Sequence, residues 1–261
     1  MPQTLLESTP VAGPAIEIFP VPGLPEIGSG DDLVRLIADA VKAQEFRVAP
    51  GDIFVVAQKI VSKAEGRIVR LDSIVPSERA VLWASEWGKE PRVIELVLRE
   101  AKRIVRMERG VVIAETRHGF VCANAGVDLS NADEGTAILL PVDPDGSACM
   151  LQARLGAEFG VEIGVIVSDT FGRPWREGLV NVALGVAGIA PLIDYRGMRD
   201  ATGKLLQATI IAAADELASA AELAMGKSDR VPVAIIRGVR MTTRAGSGRD
   251  LIRPAEKDLF R

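Results

Sequence analysis

Histidine is almost missing from this sequence: His118 is the only one in 261 residues. A His-rich zinc centre and a Ser-His-Asp triad are therefore not expected, and His118, placed before a glycine, reads as a turn residue. Cysteine is nearly as scarce. Cys122 and Cys149 form no CxxC pair and are expected as two small buried thiols in a reducing compartment. Neither charge sign dominates. The 31 Lys and Arg residues against 35 Asp and Glu give a net charge of −4 with no basic tract, which argues against nucleic acid or a membrane surface as partner. Local basic clusters for small anionic ligands remain open. No apolar run approaches the roughly 20 residues that span a bilayer; the stretch Ile210–Met225 is broken by Asp215, Glu216 and Glu222. The opening MPQTLLESTPVAGPA lacks the basic and apolar regions of a signal peptide. A soluble cytoplasmic protein is expected.

What is present is a globular composition, 48% hydrophobic and 25% charged, enough for one large domain or two small ones. "IEIFPV" (16–21) alternates like a strand. "GSGDDL" (28–33) starts a helix, with Leu33, Leu36, Ile37, Ala40 and Val41 at helical spacing. "GDIFVVAQKIVSK" (51–63) reads as a turn and a buried strand with a polar end. Ser77 caps a helix to Trp87, and Pro91 opens another to about Arg103. Residues 110–131 read as a hairpin turning at Arg117-His118-Gly119, and 137–150 as a strand, a turn and a helix that ends near Gly160. A long helix is expected over about Leu205–Met225, stopped by Gly226, and a last strand over Val231–Val239. The tail from Thr242 reads as loose. Strands and helices mix without strict alternation, so the fold class is α/β, of a mixed α+β kind.

Several standard motifs fail. "GMRDATGKL" (197–205) has the wrong glycine spacing for a phosphate loop, and Leu205 stands where Ser or Thr is needed. "GSGDDL" and "GSGRDL" lack the third glycine of a dinucleotide fingerprint. What remains is oxygen chemistry in loops. Asp128, Ser130 and Asn131 follow the hairpin. In "GVIVSDTFGRPWREG" (164–178), an apolar strand runs directly into Ser168, Asp169 and Thr170. Such groups suit Mg²⁺ or Mn²⁺, although turns and helix caps use the same residue types. Lys59, Lys63, Arg67, Arg173 and Arg176 could face phosphates or carboxylates, or be ordinary solvated surface. Glu26, in an apolar turn, could bond a nucleobase or an amine. Trp175 could stack on a ring, but packing in the core is the expectation.

The segments "LPEI", "VVAQKIVSKAEGR", "HGFVCANAGVDLSN", "LLPVDPD", "VSDTFGRPWREG" and "AAADELASAAEL", in this order, make the chain similar to the coenzyme F420-0:L-glutamate ligase family over about residues 14–240. The resemblance implies a two-domain protomer in an intertwined homodimer. The unit would span 14–245 in two lobes, with a central part near 105–190 and flexible ends at 1–13 and 246–261. It implies a reaction joining the amine of L-glutamate to the phospholactyl carboxylate of F420-0, with one or more γ-linked glutamates in the product. GTP and a divalent cation, Mg²⁺ or Mn²⁺, would be needed, and K⁺ is admitted as a further ion.

By motif, Leu24, Pro25, Glu26 and Ile27 match a nucleotide-contacting turn, with Gln58, Lys63 and Asn131 as further nucleotide positions. Asp128, Asp169 and Thr170 match metal positions. A helix near 207–214 corresponds to another nucleotide segment; here it reads QATIIAAA, with Gln207 and Thr209 as its side-chain oxygens. Lys63, Arg173 and Arg176 are the candidate catalytic cations. Some relatives carry a fused flavin-dependent domain; that activity is not expected of this chain. Two other readings stay open: a γ-glutamyl ligase for another carboxylate, such as a pterin or a peptide, and a nucleotide-binding regulatory protein without turnover.

Overall fold

The computed structural model describes residues 15–240 and 246–259; the expected arm at 1–13 lies outside them. The first strand, β1 (Glu17–Pro20), leads to α1 (Leu33–Ala43), whose Asp32 cap accepts the Arg35 N–H at 3.3 Å. Leu33, Ile37, Ala40 and Val41 are buried on one face, as their spacing requires. Strand β2 (Ile53–Ala57) is fully apolar, but the polar end expected to extend it is a helix, α2 (Gln58–Ala64). A seven-residue segment gives little period to read; Ile60 and Val61 are buried, and Ser62 Oγ donates to Gln58 Oε1 one turn back at 2.8 Å. After β3 (Ile68–Arg70), Ser77 caps α3 (Glu78–Trp87) and Gly88 ends it in the left-handed region. Pro91 begins α4 (Pro91–Glu100), which stops three residues short of expectation. Ala101 turns extended into β4 (Ala101–Glu108), where Lys102 and Arg103 reach Glu115 at 2.9 and 3.0 Å.

The hairpin forms as expected from β5 (Val111–Thr116) and β6 (Val121–Ala123), and β7 (Thr136–Ile138) pairs with β3. Helix α5 (Pro144–Phe159) ends at Gly160. Its Ala148 and Leu151 face inward, whereas Cys149 is exposed, a correction to the buried thiol expected there. A long hairpin follows, β8 (Gly164–Arg173) and β9 (Arg176–Ala187). Strands β10 (Ile193–Asp194) and β11 (Ile210–Ile211) form a small hairpin of their own. The long helix is therefore shorter than expected: α6 covers Ala213–Met225. Residues 205–212 belong to the hairpin, where Arg199 pairs with Leu205 and the β-branched Ile210 and Ile211 are extended. Strand β12 (Val233–Arg237) completes the chain of regular elements.

One five-stranded sheet, in the order β1-β12-β2-β8-β9, organises the molecule; β2 and β8 are parallel and the other pairs antiparallel. Alternation along its strands feeds two cores. Phe54, Val56, Val165, Val167 and Ile235 pack under α1 and α5, while Ile53, Val55, Ile166 and Ile236 pack against Ala214, Ala218 and Ala221 of α6. Gly185 allows the close approach of α5: a Cβ there would lie 2.0 Å from the carbonyl oxygen of Pro144. A third core, with Leu96, Val97, Val112, Ala114 and Leu139, fills the space among α4, β5 and the β7 region. The architecture is mixed α/β. Within the segment expected to be a loose end, residues 246–259 are described and carry structure: Ser247 and Asp250 cap a short turn, and the Gly248 N–H donates to Asp145 Oδ1 at 2.6 Å. No helix among the described residues is long and apolar enough to cross a membrane.

Candidate functional site

The parallel strands β2 and β8 run side by side to Ala57 and Ser168. Ligands in such sheets gather beyond the carboxyl ends of parallel strands, and the polar residues begin there: Gln58 and Lys59 beyond β2, and Ser168, Asp169 and Thr170 in β8. The β8–β9 register shifts between Val167 and Ser168; such an irregularity re-aims the side chains that follow it. A cavity of about 490 Å³ opens at this place, with Gln58, Ser168 and Asp169 in its lining. A second, about 440 Å³, continues from it past Lys59, Asn131 and Lys227, which line both. A third, about 360 Å³, shares Glu26, Ile27 and Lys63 with the second. The three form a groove lined mainly by the ends of strands and the loops after them.

Two ion pairs flank the middle of the first cavity. On one side Lys59 Nζ lies 2.9 Å from Asp128 Oδ2 and donates to the Ser130 carbonyl at 3.2 Å, and the Ser130 N–H donates to Asp128 Oδ1 at 2.7 Å. Burial would push the Asp128 carboxyl up, but Lys59 and the Ser130 bonds outweigh it and hold it below the usual range. On the other side Lys227 Nζ pairs with Glu222 Oε1 at 3.0 Å. Asp169 lines the same cavity within reach of both lysine charges, and burial pushes its carboxyl up to about 6. The Thr170 N–H opposes the rise, the charge of Asp128 adds to it, and Lys59 and Lys227 draw it back. Ser168 Oγ, buried beside it, has no hydrogen-bond partner among the described residues. A buried hydroxyl left unpaired at a cavity wall is capacity for a ligand.

Residues expected from separate motifs are brought together here. Asp128, Asp169 and Thr170 line the first cavity with the buried Gln58. Leu24, Pro25, Glu26 and Ile27 line the second with Lys63, which is ion-paired to Glu26. Asn131, in the left-handed region at φ 54°, stands on the seam. The structure does not bring Gln207 into this group: it lies in the segment before β11 and lines none of the three cavities. Nor are Arg173 and Arg176 there. They sit at the tip of the β8–β9 hairpin, where Arg173 donates to the carbonyls of Glu177 and Gly178. Trp175 between them is 80% exposed, a correction to the core position expected for it. Arg67 is structural, bonded to the Leu140 carbonyl and to Glu100, each at 2.9 Å. His118 acts as a turn residue, its Nε2 3.0 Å from the carbonyls of both Pro141 and Val142.

Sequence reasoning missed the loop after α6. Gly226, Lys227, Arg230 and Val231 line the second cavity, and Asn181 and Glu222 line the first. The terminal Gly226-Lys227 pair was legible only as a helix stop. Among the described residues no group of three or more His, Cys, Asp and Glu side chains converges as a metal cage. Two carboxylates, a hydroxyl and the unpaired Ser168 oxygen form a sparser, hard set. It fits an ion of the Mg²⁺ type, which completes its shell with water and ligand phosphates.

Comparison with known proteins gives a consistent picture. The family model described as F420-0:gamma-glutamyl ligase matches residues 23–238. The coenzyme F420:L-glutamate ligase of Methanothermobacter thermautotrophicus is 48% identical over 249 residues, 94% of this chain and 99% of that protein. The protein of that name from Methanopyrus kandleri is 47% identical over 253 residues, 95% and 98% of the two chains. The one from Methanocaldococcus jannaschii is 46% identical over 218 residues, covering 83% and 87%.

Proposed function

The chain belongs to the F420-0:gamma-glutamyl ligase family, and on that premise we propose that it joins the amine of L-glutamate to the phospholactyl carboxylate of F420-0, with GTP as phosphoryl donor. The observation that carries this reading is the meeting of Asp128 and Asp169, from distant segments, in one cavity with Lys59 and Lys227 beside them. A carboxylate cannot acylate an amine directly, because oxide is a poor leaving group. Attack of the F420-0 carboxylate on the γ-phosphorus of GTP releases GDP and gives an acyl phosphate. The amine nitrogen then attacks the acyl carbon, phosphate leaves, and the nitrogen loses its proton.

In this reading Asp128, Asp169 and Thr170 hold a divalent cation, Mg²⁺ or Mn²⁺. When bound, it neutralises charge that gathers on the phosphate oxygens. Leu24, Pro25, Glu26 and Ile27 form one wall for the nucleotide, with Gln58 and Asn131 toward the phosphates. Lys63 is freed from Glu26 to meet the terminal phosphate, as a compact ammonium can. Exclusion of water by Cys122, Val127 and Met225 in the cavity lining would protect the acyl phosphate from hydrolysis. Addition of further glutamates is part of the proposal, as is a cytoplasmic setting.

We also propose a homodimer of two-lobed protomers. Its support is the long β8–β9 hairpin, which carries Trp175 and the 66%-exposed Leu179 into solvent with Arg173 and Arg176 at its tip. Seated on a second copy, the tip would bring these arginines to an anionic substrate.

The deciding experiment incubates purified protein with GTP, Mn²⁺, labelled glutamate and a panel of acceptors, F420-0, a pterin and a peptide carboxylate. Mass spectrometry should find glutamate added to F420-0, with GDP formed in step. Turnover of another acceptor alone, or GTP binding without any product, would reject the reading.

A further inference from the structure

A fourth cavity, about 380 Å³, lies beside the β8–β9 hairpin. Its lining is largely apolar, with Phe120, Val121, Phe171, Val182 and Ile252. Its charged groups are few: Asp215 in the first turn of α6, and Arg253 and Asp258 from the C-terminal segment. Phe171 lines the first cavity as well. On β6 and β9, neighbouring residues divide the two: Cys122 and Asn181 line the first, Val121 and Val182 the fourth. The two cavities therefore meet at Phe171. Phe120 stands edge-on to it, with ring centroids 6.4 Å apart at 74°. The C-terminal segment closes one side. Ile252 packs over Gly119, which is left-handed at φ 99° and where a Cβ would lie 3.2 Å from Ile252 Cδ1, so the closure favours glycine there.

Asp215 is the polar group left half-used. Its Oδ1 accepts the Ala183 N–H at 2.8 Å, and among the described residues its Oδ2 takes no hydrogen bond. Burial raises its carboxyl above the usual range, and the Ala183 N–H opposes the rise. A donor brought to Oδ2 returns some of the solvation that burial withholds. An apolar cavity with a few placed polar groups is the common form of a small-molecule site, and aromatic walls suit a flat ring through edge and face contacts. The acceptor must bring its phospholactyl carboxylate to the first cavity, and the rest of the molecule must lie elsewhere on the protein. We propose that the fourth cavity seats the unreactive end of the acceptor: a flat aromatic ring system with an N–H or O–H directed to Asp215 Oδ2, its tether passing Phe171 to place the carboxylate in the first cavity. This seat presupposes the ligase reading given above and deepens it. Val121, Val182 and Asp215 become specificity residues, which select the acceptor by the end that does not react. Binding energy gathered there holds the carboxylate in place for attack.

The test measures binding without turnover, by equilibrium dialysis of the full chain with mass-spectrometric detection. The two ligands are F420-0 and the ring-bearing alcohol left when its phospholactyl group is removed. Both should bind the wild type. Val121→Trp, which fills the cavity from β6, should weaken both at least tenfold. Asp215→Asn keeps an oxygen for the Ala183 N–H and turns the other into a donor; it should weaken both at least threefold. Circular dichroism checks each fold, and sedimentation checks the assembly. Wild-type affinity for both ligands in a folded Val121→Trp would overturn the proposal. Should that variant not fold, wild-type affinity in Asp215→Asn would do so. An alcohol that fails to bind the wild type would overturn it too, since F420-0 would then be held by its phospholactyl end alone. A Val121→Trp that loses the homodimer but keeps both affinities would give the cavity to a second copy of the chain, and the proposal would fall. No amide from F420-0, with the alcohol bound by the wild type and lost in Val121→Trp, would reject the ligase reading and keep this cavity as a seat for an aromatic ring.

Discussion

Lys59 and Asp128 meet at 2.9 Å across two hydrophobic cores. Lys59 rises from the first turn of α2, directly after strand β2 of the main sheet, and Asp128 is held by a backbone bridge to Ile138 beside the third core. The pair therefore fixes the cavity as well as charging it. Lys59→Ala should raise the Asp128 pKa, observable by carbon NMR of its carboxyl, and slow amide formation about tenfold, about 1.4 kcal/mol in the barrier. An unmoved Asp128 titration would show that the pair does not form in solution.

Asp128→Asn and Asp169→Asn keep shape and remove a charge. Each should reduce amide formation at least tenfold, about 1.4 kcal/mol or more in the barrier, and shift the Mn²⁺ concentration needed for half-activity upward. Unchanged rates and metal titrations in both would remove the pair from the ion site.

The pH dependence of stability follows from Asp169. Its ordinary value of 3.8 rises on burial to about 6, so the folded protein binds this proton more tightly than the unfolded chain. The resulting stability is fully present below about pH 4 and is lost as pH rises through 6. The full difference is about 3 kcal/mol. Metal-free Asp169→Asn should therefore be more stable than the wild type at pH 8, with the advantage fading toward pH 4. Urea denaturation in the presence of a chelator measures it; an advantage independent of pH would mean that the carboxyl is solvated.

Lys63→Ala separates binding from catalysis. An ammonium that follows the charge of the moving phosphoryl group lowers the barrier more than it tightens GTP. The variant should lose kcat more than it gains in apparent KM for GTP, measured by steady-state amide formation. Normal kcat and KM in a folded variant would leave Lys63 as the partner of Glu26 and nothing more.

Sedimentation tests the assembly. A homodimer should persist at micromolar concentration, and Trp175→Ser with Leu179→Ser should weaken it. Obligate dimers commonly lack a stable folded monomer, so a well-folded wild-type monomer would reject the arrangement.

Much of this was legible in sequence where one period ran long enough. The stripe of Leu33, Ile37 and Val41, the Ser77 cap and the apolar runs at 53–57 and 164–167 are observed as expected. The approach of Asp128 to Asp169 was legible only through the family motifs, since no local pattern encodes a contact between distant loops. Three things were hidden for physical reasons. The seven-residue α2 is too short to declare its period. Strand β9 opens with the exposed residues 176–179, so its polar start disguises a strand whose far half is buried. The apolar QATIIAAA merges in composition with α6, which concealed that only its last two residues are helical. Asn181 carries no signal in the sequence and Lys227 only that of a helix stop; their shared cavity with Glu222 is visible in the structure alone.

The parallel pairing of β2 with β8 also bears on how the chain comes to be active. Ala57 and Ser168, register partners in that pair, are separated by more than a hundred residues, and β12, which borders β2 on its other side, comes later still. Contacts so remote in sequence form slowly, because a long loop must close before they are rewarded. A ribosome-bound chain that has emerged only to residue 160 can build the third core but lacks Asp169. The cavity is thus a late product of folding, assembled only once β8 and β12 are both available, and nucleotide binding should report on chains that carry both strands rather than on shorter nascent ones.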